Sequence, residues 1–136
     1  MNILVDTNVL LSAALRDRLP EQVVLHVATS DEHRWIVTVE ILQEYLEVLK
    51  RPKFELPDHV LRNWSELIAL RTVEVPSSPQ VVNLPRDPKD AKFLAAAITS
   101  DADLLLTGDR DLLEAKLTLR TRVISVAESA SELKIV

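Results

Sequence analysis

Short runs of consecutive apolar residues alternate along the chain with longer segments in which apolar positions recur every three or four residues. Ile3-Leu4-Val5 is apolar throughout, the pattern of a strand buried on both faces. Helices are expected over residues 8 to about 16 and over 20–29, the second with Pro20 in its first turn. Trp35-Ile36-Val37 reads as the next strand. Residues 39–51 read as a helix with Leu42, Tyr45, Leu46 and Leu49 at the i, i+3, i+4, i+7 spacing, stopped by Pro52. A helix over 57–71, a strand at Val73-Glu74-Val75 and a strongly apolar helix over 88–100 follow. Leu104-Leu105-Leu106 is a fourth strand, 110–115 a short helix, and Val123-Ile124-Ser125 a fifth strand before a last helical turn. Strands alternating with helices imply a parallel sheet covered on both faces, hence a three-layer α/β protein.

With 136 residues, of which 47% are apolar, there is material for one core. The stretch 76–88 holds four of the seven prolines but reads as a loop, because the segments on either side need each other for that core. Residues 1–136 are therefore read as a single domain. One glycine is too few for a dinucleotide fingerprint or a P-loop, and the absence of cysteine removes thiolate catalysis and zinc–sulfur sites. His26, His33 and His59 are too scattered for a histidine cluster. The N-terminus lacks a basic region followed by an apolar stretch, and no run approaches the ~20 residues that span a bilayer. A cytoplasmic protein without a membrane partner is expected. A net charge of −5 argues against nonspecific duplex binding, unless the acids are concentrated in one place.

Ligands of open α/β sheets bind beyond the carboxyl ends of strands. Asp6 directly follows the first strand, and Asp109 follows the fourth after Thr107-Gly108. If those strands are neighbours, both carboxylates open into one crevice, and Gly108 is explained by a tight turn with positive φ. Either aspartate can instead cap the helix that follows it. In Asp87-Pro88-Lys89-Asp90, Asp87 suits the cap and Pro88 the first helical position. That leaves Asp90 beside Phe93, Leu94 and Ala97, where a carboxylate is costly without a partner. Glu44 stands three residues after Ile41 and four before Val48, so it borders the buried arc, whereas Glu47 pairs with Arg51 on the surface. Carboxylates converging in a low-dielectric crevice repel one another, and hard divalent cations relieve that repulsion. One or two Mg²⁺ or Mn²⁺ ions held there suit phosphodiester hydrolysis.

Leu4-Val5-Asp6-Thr7-Asn8-Val9-Leu10, Glu44-Tyr45-Leu46-Glu47-Val48-Leu49 with Arg51-Pro52-Lys53-Phe54, Asp87-Pro88-Lys89-Asp90 and Asp103-Leu104-Leu105-Leu106-Thr107-Gly108-Asp109-Arg110-Asp111 together resemble the PIN-domain nucleases. The chain is most similar to their stand-alone prokaryotic toxins of toxin–antitoxin pairs. The resemblance implies a three-layer α/β/α fold with a five-stranded parallel sheet of order 3-2-1-4-5. It implies that Asp6, Glu44, Asp90 and Asp109 are catalytic and bind Mg²⁺ or Mn²⁺, with Asp111 a fifth, less constant ligand. Thr7, Asn8 and Thr107 match positions that orient carboxylates or water. The chain departs from the pattern at Thr38, where a serine is expected, and at Val126-Ala127-Glu128, where a Thr-Pro turn is common.

The activity so implied is that of a metal-dependent endoribonuclease acting on RNA, with DNA open as a substrate, a cognate antitoxin as partner and a homodimer as assembly. The alternative is a non-catalytic module of the same fold that acts through antitoxin or RNA binding. A phosphoacceptor domain wants an aspartate after the third strand and a lysine after the fifth, where this chain has Pro76 and Ser125. Lys50, Arg51, Lys53, Arg86, Lys89, Lys92 and Arg110 are candidate phosphate contacts. Trp35, Trp64, Tyr45, Phe54 and Phe93 are read as core residues. Two divalent ions would take the charge of −5 to −1, so the acid excess does not argue against a nucleic-acid partner.

Overall fold

The computed structural model describes residues 1–77, 90–114 and 120–135. Five short strands, β1 (Asn2–Val5), β2 (Arg34–Val37), β3 (Thr72–Glu74), β4 (Leu104–Leu106) and β5 (Arg122–Ile124), form one parallel sheet of order β3-β2-β1-β4-β5. β1 pairs with β2 on one side and β4 on the other, with Ile3, Leu4 and Val5 opposite Leu104, Leu105 and Leu106. Side chains alternate across a strand, and these six residues are all buried, so both faces of the sheet are covered. The edges are the weaker part. In β3 both Val73 and Glu74 are exposed, as befits a short edge strand.

The helices are α1 (Thr7–Ala14), α2 (Arg18–Thr29), α3 (Val39–Leu49), α4 (Asp58–Arg71), α5 (Ala91–Ser100), α6 (Arg110–Glu114) and α7 (Val126–Glu132). None of the described helices is long and apolar enough to cross a membrane. Thr38 caps α3 by accepting from the Ile41 backbone N–H at 3.2 Å, the task a serine would perform. The Ser125–Glu128 capping box starts α7 without a proline turn, and it makes Ser125 a cap rather than the end of β5. The α5 core, Phe93 to Ala97, is buried throughout.

Three expectations are corrected. The inward stripe of α3 is Ile41, Tyr45, Val48 and Leu49, while Leu42 and Leu46 are only partly buried. That rotation turns Glu44, which lies between Ile41 and Val48, toward the sheet end. Gly108 does not have positive φ, and a Cβ built on it meets nothing within 4 Å. The left-handed positions are instead Arg16, Glu55, Asp101 and Lys134. Phe54 is the third exception: it stands apart from the core that holds the other four aromatic side chains named above. The cap assigned to Asp87 and Pro88, most of the 76–88 loop and the end of the 110–115 helix lie outside the described residues.

Candidate metal centre

The pairing of β1 with β4 runs one residue past β1, and that of β4 with β5 one residue past β4. The Asp6 amide donates to the Leu106 carbonyl at 2.8 Å, and the Thr107 amide to Ile124 at 3.1 Å. Asp6 and Thr107 are thereby set side by side at the carboxyl end of the sheet. The Thr107 hydroxyl donates to Asp6 Oδ2 at 2.7 Å and accepts from the Asp109 backbone N–H at 3.0 Å. One buried hydroxyl thus holds the carboxylate of one acid and the backbone of another.

Asp6 is 5% exposed. Burial raises its pKa. Thr107 and the Asn8 backbone N–H oppose that rise, while the charges of Glu44 and Asp109 add to it. The Asn8 N–H falls short of capping geometry, so the cap reading does not hold for Asp6. It does hold in part for Asp109, whose Oδ1 accepts from the Asp111 N–H at 2.8 Å at the start of α6.

Glu44 reaches the same place from α3. Its Oε2 accepts from the Thr7 hydroxyl, and its Oε1 pairs with the Lys92 ammonium at 2.6 Å. The next residue, Tyr45, donates its hydroxyl to the Val5 carbonyl and accepts from the Trp35 indole N–H at 3.3 Å. Full burial pushes the Tyr45 phenol far above its ordinary value, so it stays a neutral donor. Tyr45 thereby ties α3 to the end of β1, whereas the chain pattern marks it only as core. Asp90 is 8% exposed and immediately precedes α5.

These acids line one cleft of about 440 Å³ together with Thr7, Asn8, Leu11, Val48, Arg51, Lys53, Phe54, Lys92 and Phe93. Thr107 lies buried behind Asp6 rather than on the cleft wall, and Asp111 is exposed and outside the lining. Of the candidate phosphate contacts, Arg51, Lys53 and Lys92 line the cleft, Lys50 and Arg110 do not, and Arg86 and Lys89 lie outside the described residues. The His26 and His33 rings lie 5.8 Å apart, tilted by 52° and away from the lining. Among the described residues no three acidic, histidine or cysteine side chains are grouped closely enough to hold an ion as they stand. The donor set itself fits a hard divalent cation: it is all carboxylate oxygen, and Asp6 feels the charge of two of the others.

A family model of the PIN domain matches residues 2–111, a span containing every acid of the cleft. The chain belongs to the PIN-domain family. Members of the PIN-domain family are generally metal-dependent nucleases. No curated protein matches the chain. In this PIN domain the matched region stops short of β5 and α7, so the family pattern resides in the part that builds the cleft.

Proposed function

We propose that this PIN domain is a metal-dependent endoribonuclease, one domain over residues 1–136, and the toxin of a toxin–antitoxin pair. The observation that supports it is the meeting of Asp6, Glu44, Asp90 and Asp109, from four separate stretches of the chain, on one cleft at the carboxyl ends of β1 and β4. These four would hold one or two Mg²⁺ or Mn²⁺ ions. When bound, such ions supply Lewis acidity toward a phosphodiester. Thr107 orients Asp6, Thr7 orients Glu44, and Asn8 presents its backbone N–H to the Asp6 carboxyl. Arg51, Lys53 and Lys92 bind phosphate oxygens of the strand along the same wall. Asp111 acts from the rim. A cytoplasmic setting, an antitoxin partner and a homodimer complete the reading.

Purified protein with Mg²⁺ or Mn²⁺ should cut RNA, and Asp6→Asn and Asp90→Asn should each abolish cutting. DNA of the same sequence run in parallel tells which sugar is accepted. Cutting that persists in both variants overturns the reading. A wild-type protein that neither cuts nor binds Mn²⁺ by calorimetry leaves the non-catalytic module in its place.

A further inference from the structure

Trp35, Tyr45, Trp64 and Phe93 are buried in the core, but Phe54 is not part of it. It is half-buried and lines the cleft alongside Asp6, Glu44, Asp90 and Asp109. Local backbone puts it there. After α3 ends at Leu49, Pro52 opens a 3₁₀ turn over Pro52–Phe54, and Glu55 closes it with left-handed backbone at φ 50°. The Lys53 ammonium lies over the Phe54 ring at 5.1 Å from its centroid. Lys53 makes no ion pair among the described residues, and Arg51, paired with Glu47 at 2.9 Å, lines the same wall.

An aromatic face flanked by cations is how proteins hold single-stranded nucleic acid: the ring stacks on a base and the charges follow the backbone. Lys53 lies over one face of the ring, and Phe54 lines the cleft, so a ligand bound there meets the ring. Bases within a duplex are already stacked on their neighbours, so only an unpaired base can stack on it.

We propose that Phe54, with Lys53 and Arg51, forms a subsite that stacks one unpaired base of the strand whose phosphate reaches the acids. The strand's destination rests on the nuclease reading; base stacking on Phe54 is tested separately from it. The experiment is fluorescence anisotropy in EDTA with the full chain and three labelled probes: an unpaired RNA, its duplex, and an abasic ribose-phosphate strand of the same length. Wild type should prefer the unpaired RNA. Phe54→Leu should bind it about tenfold more weakly, the loss of one stacked base, while its weaker binding of the abasic strand is unchanged. Phe54→Trp should restore the preference, and melting curves confirm that each variant is folded.

Equal binding of the three probes by wild type, no binding of any of them, or equal losses on RNA and abasic strand in Phe54→Leu would overturn the subsite. Cutting of the RNA by wild type in Mn²⁺ is followed in parallel. Normal cutting with unchanged Phe54→Leu binding overturns the subsite alone. Base-dependent binding without any cutting supports the subsite and overturns the nuclease reading.

Discussion

The Tyr45 hydroxyl donates to the Val5 carbonyl, which ties the residue after Glu44 to the residue before Asp6. Two acids separated by 38 positions in the chain are therefore registered to each other through neutral buried groups, before any ion is involved. Tyr45→Phe removes that donor and also strands the Trp35 indole N–H. Leaving such groups unpaired costs about 1–3 kcal/mol, and each kcal/mol lowers the melting temperature by about 4 °C at this chain length. Thermal denaturation should show that loss. In the proposed nuclease, cutting at a temperature where the variant remains folded should fall as well.

Asp6 gives a pH-dependent prediction. Its pKa is raised chiefly by burial, so the folded state holds the proton more tightly than the unfolded chain does. The favourable contribution is fully present below the ordinary carboxylate value of about 4 and is lost as pH rises through the raised value. Asp6→Asn should accordingly raise the melting temperature of the metal-free protein at neutral pH, and the gain should vanish in acid. Melting curves with chelator across that pH range check it. An unchanged melting temperature at neutral pH would mean that the Asp6 charge costs nothing where it sits.

Lys92 satisfies Glu44 Oε1 with a charge of its own, at 2.6 Å and with both side chains partly exposed. Lys92→Met should free that oxygen and remove a cation from the cleft. Partly exposed pairs contribute up to about 1 kcal/mol, so Mn²⁺ binding by calorimetry should tighten by up to about fivefold. Binding that is unchanged or weaker would mean that Glu44 is not among the ion's ligands.

Glycine is used where the backbone does not require it, and left-handed backbone occurs where glycine is absent. Gly108 has ordinary φ and open space for a Cβ, so Gly108→Ala should stabilise by about 0.4–1 kcal/mol through the unfolded chain. Arg16, which follows α1 with φ 66°, bears the converse strain. Arg16→Gly should relieve about 1 kcal/mol of it, less the added freedom of the unfolded chain. Urea denaturation resolves both changes.

Much of the element pattern was legible because it depends on neighbours along the chain. Leu104-Leu105-Leu106 is a strand at the residues expected, and α2, α3 and α4 fall within a few residues of their apolar periodicity. The strand order came from the family resemblance, and the inward turn of Glu44 from its apolar neighbours Ile41 and Val48. What was not legible lies between elements. Lys92 meets Glu44 from 48 positions away, and Tyr45 meets Val5 from 40, distances over which periodicity carries no information. Phe54 has the composition of a core residue, and only the proline-started turn after α3 brings it to the cleft. Gly108 misled for the opposite reason: a rare residue in a turn suggested a special conformation that the backbone does not adopt there.

The central strand borrows its two neighbours from opposite ends of the chain's order, since β2 follows β1 closely and β4 comes about a hundred residues later. Thr107, the donor that holds Asp6, comes with the late neighbour. A truncated chain that stops before β4 can still pair β1 with β2, but it has an open strand edge where the cleft should be. Closing so long a loop is the slow kind of contact in folding. The cleft is therefore completed late: a chain that stops before β4 carries most of its acids and the residues of the Tyr45–Val5 tie but lacks Thr107 and Asp109, and the proposed chemistry waits on the sheet's last interior pairing.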